Sequence, residues 1–427
     1  MMKICYVTNF LPGYHDIWAG AEVACYRLSK LLINNNQPVT FLTTRPNKAS
    51  LEGLERYTID TAEDYINKWG CAHPNGLWGR FCYRLKTCFS FDPISYISSR
   101  RMLKNIAPDL LHLHNFDKLS LSMIYSAKKI GIPVLFSIYD NWCMCPKRTL
   151  TNNKNERCKR YHGPCCITCG NFGLLEKFSA AFRRKVFDYF LNQIDAFIAL
   201  SASSAKNLQN YGIKKERIAV IPLPVFEKAG GRLDITPEED SILFTGWIFP
   251  HKGLHILIEA MPEVLKEIPN AKLYVIQSGE NKAYKQRILN LIENLKITQH
   301  VFFLGKKTNQ ETSGFLQRVS LVVVPEQWEI EWPIFLTEAM ASAKPIVASY
   351  IGNIPEFIED GKTGFLADPA KPSSFADKII WMLRNKKQAA EMGREAQKAG
   401  ERIFDEDEIL KKILVLYKEK KGGMDQR

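Results

Sequence analysis

The stretch Val324–Asp368, VPEQWEIEWPIFLTEAMASAKPIVASYIGNIPEFIEDGKTGFLAD, decides the fold. It grows out of Leu321-Val322-Val323-Val324, a short β-branched apolar run of the kind that forms a strand buried on both faces of a parallel sheet. Phe335, Ala339 and Met340 then recur at helical spacing with Glu338 facing the helix entry, and Pro345-Ile346-Val347-Ala348-Ser349 restarts a strand. A glycine-punctuated loop with Pro355-Glu356 closes the block. In open α/β sheets, ligands lie beyond the carboxyl ends of such strands, where helix N-termini offer unpaired N–H groups to phosphates. The block therefore reads as a wall of a nucleotide-sugar pocket.

The same alternation extends in both directions. SILFTGW, LHILIEAMPEVLKEI, AKLYVIQSG, a charged helix through Leu295, HVFFLG and a helix through Arg318 lead into the block. Earlier, KICYVTNF, QPVTFLTT, DLLHLHNF, PVLFSIYD, DAFIALS and RIAVIPLPV read as strands, and AEVACYRLSKLLIN as an amphipathic helix. Strands alternating with helical patterns imply doubly wound parallel sheets. Phe226–Asp240 is polar with Gly-Gly and Pro, and is the expected hinge. The predicted organisation is a Rossmann-like domain over 1–225, a hinge over 226–240, a second Rossmann-like domain over 241–405, and a C-terminal helix and tail over 406–427. Two stretches interrupt the first domain. Ala49–Asn105 is aromatic and basic with weak periodicity, read as irregular helices and a mobile loop, and 141–172 is a Cys-rich insertion.

A chain of 427 residues has room for two cores, and 46% hydrophobic with 24% charged residues is ordinary for a globular protein. No apolar run reaches the roughly 20 residues that span a bilayer, and MMKICYVTNF enters a strand without a signal-peptide core; the expected location is cytoplasmic, with peripheral attachment to the inner face of the plasma membrane. The charge is lopsided. Residues 1–225 carry 30 basic against 16 acidic side chains, a net +14, while the remainder is close to neutral. Clusters at Arg80/Arg84/Lys86, Arg100/Arg101/Lys104, Lys147/Arg148, Lys159/Arg160 and Arg183/Arg184/Lys185 form either a solvated surface or a face for anionic lipid headgroups. No nucleic-acid motif accompanies them, and nucleic acid is not an expected partner. Six of eleven cysteines lie between Cys143 and Cys169. Cys145, Cys158, Cys166 and Cys169 fit a structural zinc site with one CxxC half, and free buried thiols or disulfides are the other readings.

GWIFPHKGLHILIEA (Gly246–Ala260), the opening block, the turn AGAE (Ala19–Glu22) and DNWCMCP (Asp140–Pro146) together resemble a family-4 retaining glycosyltransferase of the GT-B fold, in which two Rossmann-like domains face each other; the resemblance implies that 1–225 is the acceptor-binding domain and 241–405 the nucleotide-sugar-binding one. The likeness runs from Met2 to about Leu416. It implies that Gly20 lets backbone amides approach a diphosphate, that Lys252 neutralises the departing diphosphate, and that Glu338 accepts hydrogen bonds from ribose hydroxyls. Gly352 and Asn353 would line the phosphate and sugar, and Gly246 opens the lysine motif. Lys252 and helix N-termini would supply the positive potential, so no cofactor is required and any zinc is structural.

Three departures stand against the family pattern. Trp247 follows Gly246 where the family carries a diphosphate-binding arginine. Ile330 stands where the family's sugar-binding glutamate is expected, flanked by Glu329 and Glu331; Glu331 is taken as the replacement carboxylate, and an inward Ile330 would suit a deoxysugar. Tyr139 replaces a common His before Asp140, and a phenol is a poor general base near neutral pH. His114 is an alternative polar neighbour. The expected function is retaining transfer of a hexose, with a deoxyhexose as a variant, from a nucleoside-diphosphate sugar to a lipid-linked glycan or polysaccharide intermediate, with Lys252, Tyr139 and Asp140 as the catalytic set. A catalytically silent partner or scaffold of the same fold is the alternative.

Overall fold

A computed structural model describes residues 1–15, 20–46, 54–70, 73–152, 157–169, 174–224 and 238–422. The chain divides into two compact units, Met1–Pro224 with Glu406–Arg427, and Val225–Asp405. In the first unit the elements run β1 (Ile4–Val7), α1 (Gly20–Asn34), β2 (Val39–Thr43), β3 (Arg56–Thr58), α2 (Ala62–Trp69), α3 (Pro74–Phe89), α4 (Pro93–Ile106), β4 (Leu110–Leu113), α5 (Ser122–Lys128), β5 (Val134–Ile138), α6 (Cys166–Cys169), α7 (Leu174–Leu191), β6 (Ala196–Ala199), α8 (Ala202–Tyr211) and β7 (Ile218–Val220). The second contains β8 (Ser241–Ile248), α9 (Leu254–Glu267), β9 (Lys272–Glu280), α10 (Lys282–Asn294), β10 (Val301–Gly305), α11 (Asn309–Arg318), β11 (Leu321–Val324), α12 (Ile334–Ala341), β12 (Ile346–Ser349), α13 (Ile354–Phe357), β13 (Phe365–Ala367), α14 (Pro372–Arg384) and α15 (Lys386–Ile403). The last helix, α16 (Glu406–Gly422), belongs to the first unit and packs on α1 and β4.

Both sheets are parallel throughout, in the orders β3-β2-β1-β4-β5-β6-β7 and β10-β9-β8-β11-β12-β13. Each order reverses once, at β1/β4 and at β8/β11, and such reversals open the crevice in which a doubly wound sheet binds ligand. The period of two in the strands explains why both faces are covered. In the first sheet Cys5, Val7, Leu111, Leu113, Val134 and Phe136 feed one core. Ile4, Tyr6, Leu110, Leu135 and Ile198 feed another with Leu28 and Leu32 of α1 and Ile409, Ile413 and Tyr417 of α16. Ile242, Phe244, Leu273, Val275, Leu321 and Val323 anchor the core of the second unit. Each large aliphatic or aromatic chain so buried contributes roughly 1.5–3 kcal/mol.

The middle of the first unit is more regular than expected. Residues 54–70 and 73–106 are regular: an edge strand, β3, and the helices α2, α3 and α4, with Thr61 capping α2 through a reciprocal box with Asp64 and Asp92 capping α4 by accepting from the Ile94 and Ser95 amides. Of the stretch Ala49–Asn105, residues 49–53 and 71–72 lie outside the described residues, and with them any placement of the expected mobile loop. Most of the expected hinge, 225–237, also lies outside them. Its last part is fastened to the second unit, because Glu238 accepts from Lys272 at 2.9 Å and from the Tyr274 hydroxyl at 2.7 Å and pairs with Arg318 at 2.9 Å.

Among the described residues no three His, Cys, Asp or Glu side chains converge as a metal-holding group, so Cys145, Cys158, Cys166 and Cys169 do not form one. Every cysteine described is a free thiol. Burial pushes the Cys145 thiol up, and burial followed by the neighbouring Cys165 pushes Cys166 up to about 12, which keeps both protonated near neutral pH.

Candidate active site

The end of β8 builds the first half of the site in the second unit. After Ile248 the chain makes a single helical turn, Pro250–Lys252, and Gly253 then starts α9 without a side-chain cap. Gly253 sits at φ +72°, and a Cβ there would lie 1.7 Å from the carbonyl oxygen of Pro325. Only glycine brings the start of α9 this close to the end of β11. The approach joins Lys252 to residues far along the chain. Its Nζ bonds Glu326 Oε1 at 2.6 Å and lies 5.5 Å from the centre of the Trp328 ring, while Trp328 Nε1 donates to Glu326 Oε2 at 2.6 Å. The carboxylate is buried, so Lys252 is held in one place rather than waving in solvent. His251 packs its ring edge-on to Trp328, and burial, then the charge of Lys252, pushes its pKa down to about 4. The turn thus presents one cation, Lys252, beside a neutral imidazole.

Trp247 lies across the neighbouring strand. A Cβ on Gly279 of β9 would be 2.5 Å from the Trp247 ring, and the register between the two strands shifts between Gly246 and Trp247. The indole therefore packs on its own sheet and leaves 43% of its surface exposed, while Gly246 stays beside the stem of Lys252.

The loop after β12 forms the second half. Gly352 adopts φ +59°, and a Cβ on it would approach the backbone N and O of Ile330 to 2.9 and 3.0 Å. Asn353 donates its side-chain N–H to the backbone carbonyl of Glu331. Its Oδ1 and the hydroxyl of Ser349 are buried with no hydrogen-bond partner among the described residues. Ile330, Glu331, Gly352 and Asn353 thus form one contact. Ile330 and Glu331 are both buried, and Glu338 is half-buried as the fifth residue of α12, past the helix entry where it was expected.

In the first unit the carboxyl ends of β1, β4 and β5 carry a polar cluster. Gly20 opens α1, and the preceding residues 16–19 lie outside those described. Tyr139 and His114 Nδ1 share a hydrogen bond of 2.8 Å. Burial pushes the Tyr139 phenol well above its ordinary value and the His114 imidazole well below its own, so this is a neutral pair in which Tyr139 is no general base. Asp140 accepts from the Trp142 amide at 2.8 Å and pairs with Arg148 at 2.8 Å, and the other arm of Arg148 pairs with Asp117. Asn9 donates to Asp117 at 2.5 Å. Burial raises the Asp140 pKa, against the opposing charge of Arg148.

Sequence reasoning missed Glu326, Trp328, Arg148 and Asp117. Glu326 follows β11 by two residues, at a carboxyl strand end beside the sheet reversal, which is the signal that could have found it. Nothing local marks Arg148, whose role depends on a chain reversal at φ +64°.

Two family models match the chain, Glycosyltransferase Family 4 over residues 18–226 and Glycosyl transferases group 1 over 226–399. A lipopolysaccharide 1,2-N-acetylglucosaminetransferase of Salmonella typhimurium is 30% identical over 180 residues, 40% of this chain and 46% of that one. A D-inositol 3-phosphate glycosyltransferase of Nocardia farcinica is 28% identical over 218 residues, 48% of each chain. The matched part thus spans less than half the length of these curated relatives. Among solved structures, Anabaena Alr3699/HepE in complex with UDP and glucose superposes with a TM-score of 0.69 at 16% identity, covering 98% of this chain and 100% of that one. Sucrose-phosphate synthase from Thermosynechococcus elongatus gives 0.71 at 17%, covering 98% and 99%. With the family-4 model on its first part, the group 1 model on its second and a Rossmann-like unit under each, the chain belongs to the family-4-like glycosyltransferases of the GT-B fold.

Proposed function

We propose that the protein transfers a hexose, with retention at the anomeric carbon, from a nucleoside-diphosphate sugar to a hydroxyl of a lipid-linked glycan or polysaccharide intermediate. The observation that carries this reading is the Lys252–Glu326–Trp328 cluster at the end of β8: a fixed cation next to the uncapped N-terminus of α9, where a departing diphosphate develops charge. Preorganised positive potential of this kind acts without reorganising at the moment of reaction. The solved neighbour that holds UDP and glucose supports a nucleotide-sugar donor, and the lipopolysaccharide transferase among the relatives supports a glycan acceptor. In this reading the Asn353 Oδ1 and Ser349 hydroxyl take donor groups of the ligand, while buried Ile330 favours a sugar face that lacks a hydroxyl. Tyr139 acts as a hydrogen-bond donor or positioning group beside the acceptor, and Arg148 positions Asp140 there.

The test is release of nucleoside diphosphate from a panel of nucleotide sugars by wild type and Lys252→Ala. Turnover that falls at least about a hundredfold in the variant, the range for losing one oxyanion-type contact, supports the reading. Absence of any Lys252-dependent turnover across the panel would instead favour a catalytically silent partner protein. Ile330→Glu refines the sugar: a shift of preference toward donors bearing the additional hydroxyl is expected, and an unchanged preference removes the deoxysugar proposal.

A further inference from the structure

Helix α3 is built inside out. The side it turns to the protein carries Gly76, Gly79 and Cys82, and a Cβ on Gly79 would already stand 3.0 Å from Tyr65 Cβ of α2. Small residues let the two helices pack closely, and this leaves the large apolar chains outside. Leu77, Trp78 and Phe81 are 52%, 46% and 52% exposed, with Tyr83 and Phe89 also in solvent. Trp78 and Phe81 stack on each other at 5.5 Å between ring centres. Trp69, at the end of α2, adds another exposed indole, stacked on His73 at 4.8 Å. Beside the apolar strip run Arg80 and Arg84, both exposed, and Pro74–Phe89 contains no acidic residue. The third basic residue, Lys86, faces inward and pairs with Glu63 at 3.2 Å.

We propose that α3 is an in-plane membrane-docking helix that sets Leu77, Trp78 and Phe81 among the headgroups and acyl boundary of a bilayer carrying anionic lipid. An apolar strip of Trp, Phe and Leu flanked by arginines is the pattern of an interfacial amphipathic helix, and Trp is well suited to the headgroup level. Charge complementarity selects the occupant. The helix is purely basic, residues 1–225 are net +14, and among the described residues no helix is long and apolar enough to cross a membrane, so attachment by these helices is at the surface. Docking draws its purpose, though not its evidence, from the proposed lipid-linked acceptor.

The test is co-sedimentation of the full chain with vesicles of phosphatidylcholine and of phosphatidylcholine mixed with phosphatidylglycerol. Wild type is expected to pellet with the anionic vesicles and remain in the supernatant of the neutral ones, with binding weakened by salt. The triple variant Leu77→Ser, Trp78→Ser, Phe81→Ser and the double variant Arg80→Glu, Arg84→Glu should each lose about tenfold or more of vesicle partitioning. Their circular dichroism and melting should match wild type, since the altered side chains are exposed. Nucleoside-diphosphate release with a water-soluble acceptor and no vesicles should also be unaffected, so a failure of docking and a failure of the proposed activity are read separately. Wild type left in the supernatant of anionic vesicles, or variants that pellet as wild type does, overturns the proposal. So does a wild type that sediments as a dimer and a triple variant that sediments as a monomer, because a second copy would then be the occupant.

Discussion

At the scale of single residues, the site depends on what burial does to charge. His251 titrates at about 4 in the folded chain, against about 6.5 when unfolded. Above pH 6.5 the ring is neutral in both states and costs nothing. As pH falls from 6.5 toward 4 the unfolded chain binds a proton that the folded chain does not, so stability is lost across that window. Denaturant titrations at pH 7 and pH 5 should show His251→Gln losing less stability than wild type, by on the order of 1–2 kcal/mol. Identical losses in the two proteins would assign the acid sensitivity elsewhere. Gly253 makes a sharper case, because its φ of +72° and the Pro325 carbonyl oxygen, 1.7 Å from where a Cβ would stand, leave alanine neither conformation nor room. Gly253→Ala should destabilise the protein by more than the roughly 1–3 kcal/mol of left-handed backbone strain alone. It should also weaken donor turnover with Lys252 still present, since the lysine's approach to Glu326 depends on that turn.

At the scale of elements, caps and patterns explain both what was legible and what was not. The central strands could be read because each is a continuous apolar run with a helix on either side, as Leu321–Val324 and Val134–Ile138 show. The glycine turns beside Lys252 and at Gly352 could be read because their motifs are local. Glu326 could not, since it meets Lys252 across 74 positions, and the helices expected within Ala49–Asn105 are present but more regular than their pattern suggests, for a physical reason. In α3 the protein side is small and the solvent side is large and apolar, so the usual periodicity is inverted and hides the helix. The cysteines between 143 and 169 are free thiols, Cys143, Cys145 and Cys166 buried and Cys158, Cys165 and Cys169 half-buried, and burial raises the Cys145 and Cys166 thiols. The neighbouring α2 gives a test of local design. Thr61 accepts from the Asp64 amide while Asp64 accepts from the Thr61 amide, so Thr61→Ala should cost about 1 kcal/mol in urea unfolding. A change near zero would mean that packing against α3 alone sets the start of the helix.

At the scale of the whole molecule, the first strand and the last helix meet in the first unit. Tyr417 of α16 bonds His112 Nδ1 at 2.6 Å and the Tyr6 hydroxyl at 2.9 Å, and His112 Nε2 reaches Ser137 at 2.8 Å. These polar groups lie on the α16 side of the first sheet, buried among apolar neighbours, and the row continues through His114 to Tyr139 at the strand ends. Lys421 closes the helix onto Asp109 at 3.0 Å. Residues after 405 therefore complete a fold that residues 1–224 begin, which explains why the last helix is part of the first unit. Tyr417→Phe keeps the ring in the core and deletes only the hydroxyl, leaving the Tyr6 hydroxyl and His112 Nδ1 buried without their partner. The expected loss is about 1–3 kcal/mol for each group so stranded. Hydrogen exchange followed by mass spectrometry should locate it: faster exchange in β1, β4 and α16, with β8, β11 and β12 unchanged. Equal acceleration in both sets of strands would mean that the polar row is not what holds α16, and that the substitution acts through global unfolding of the chain.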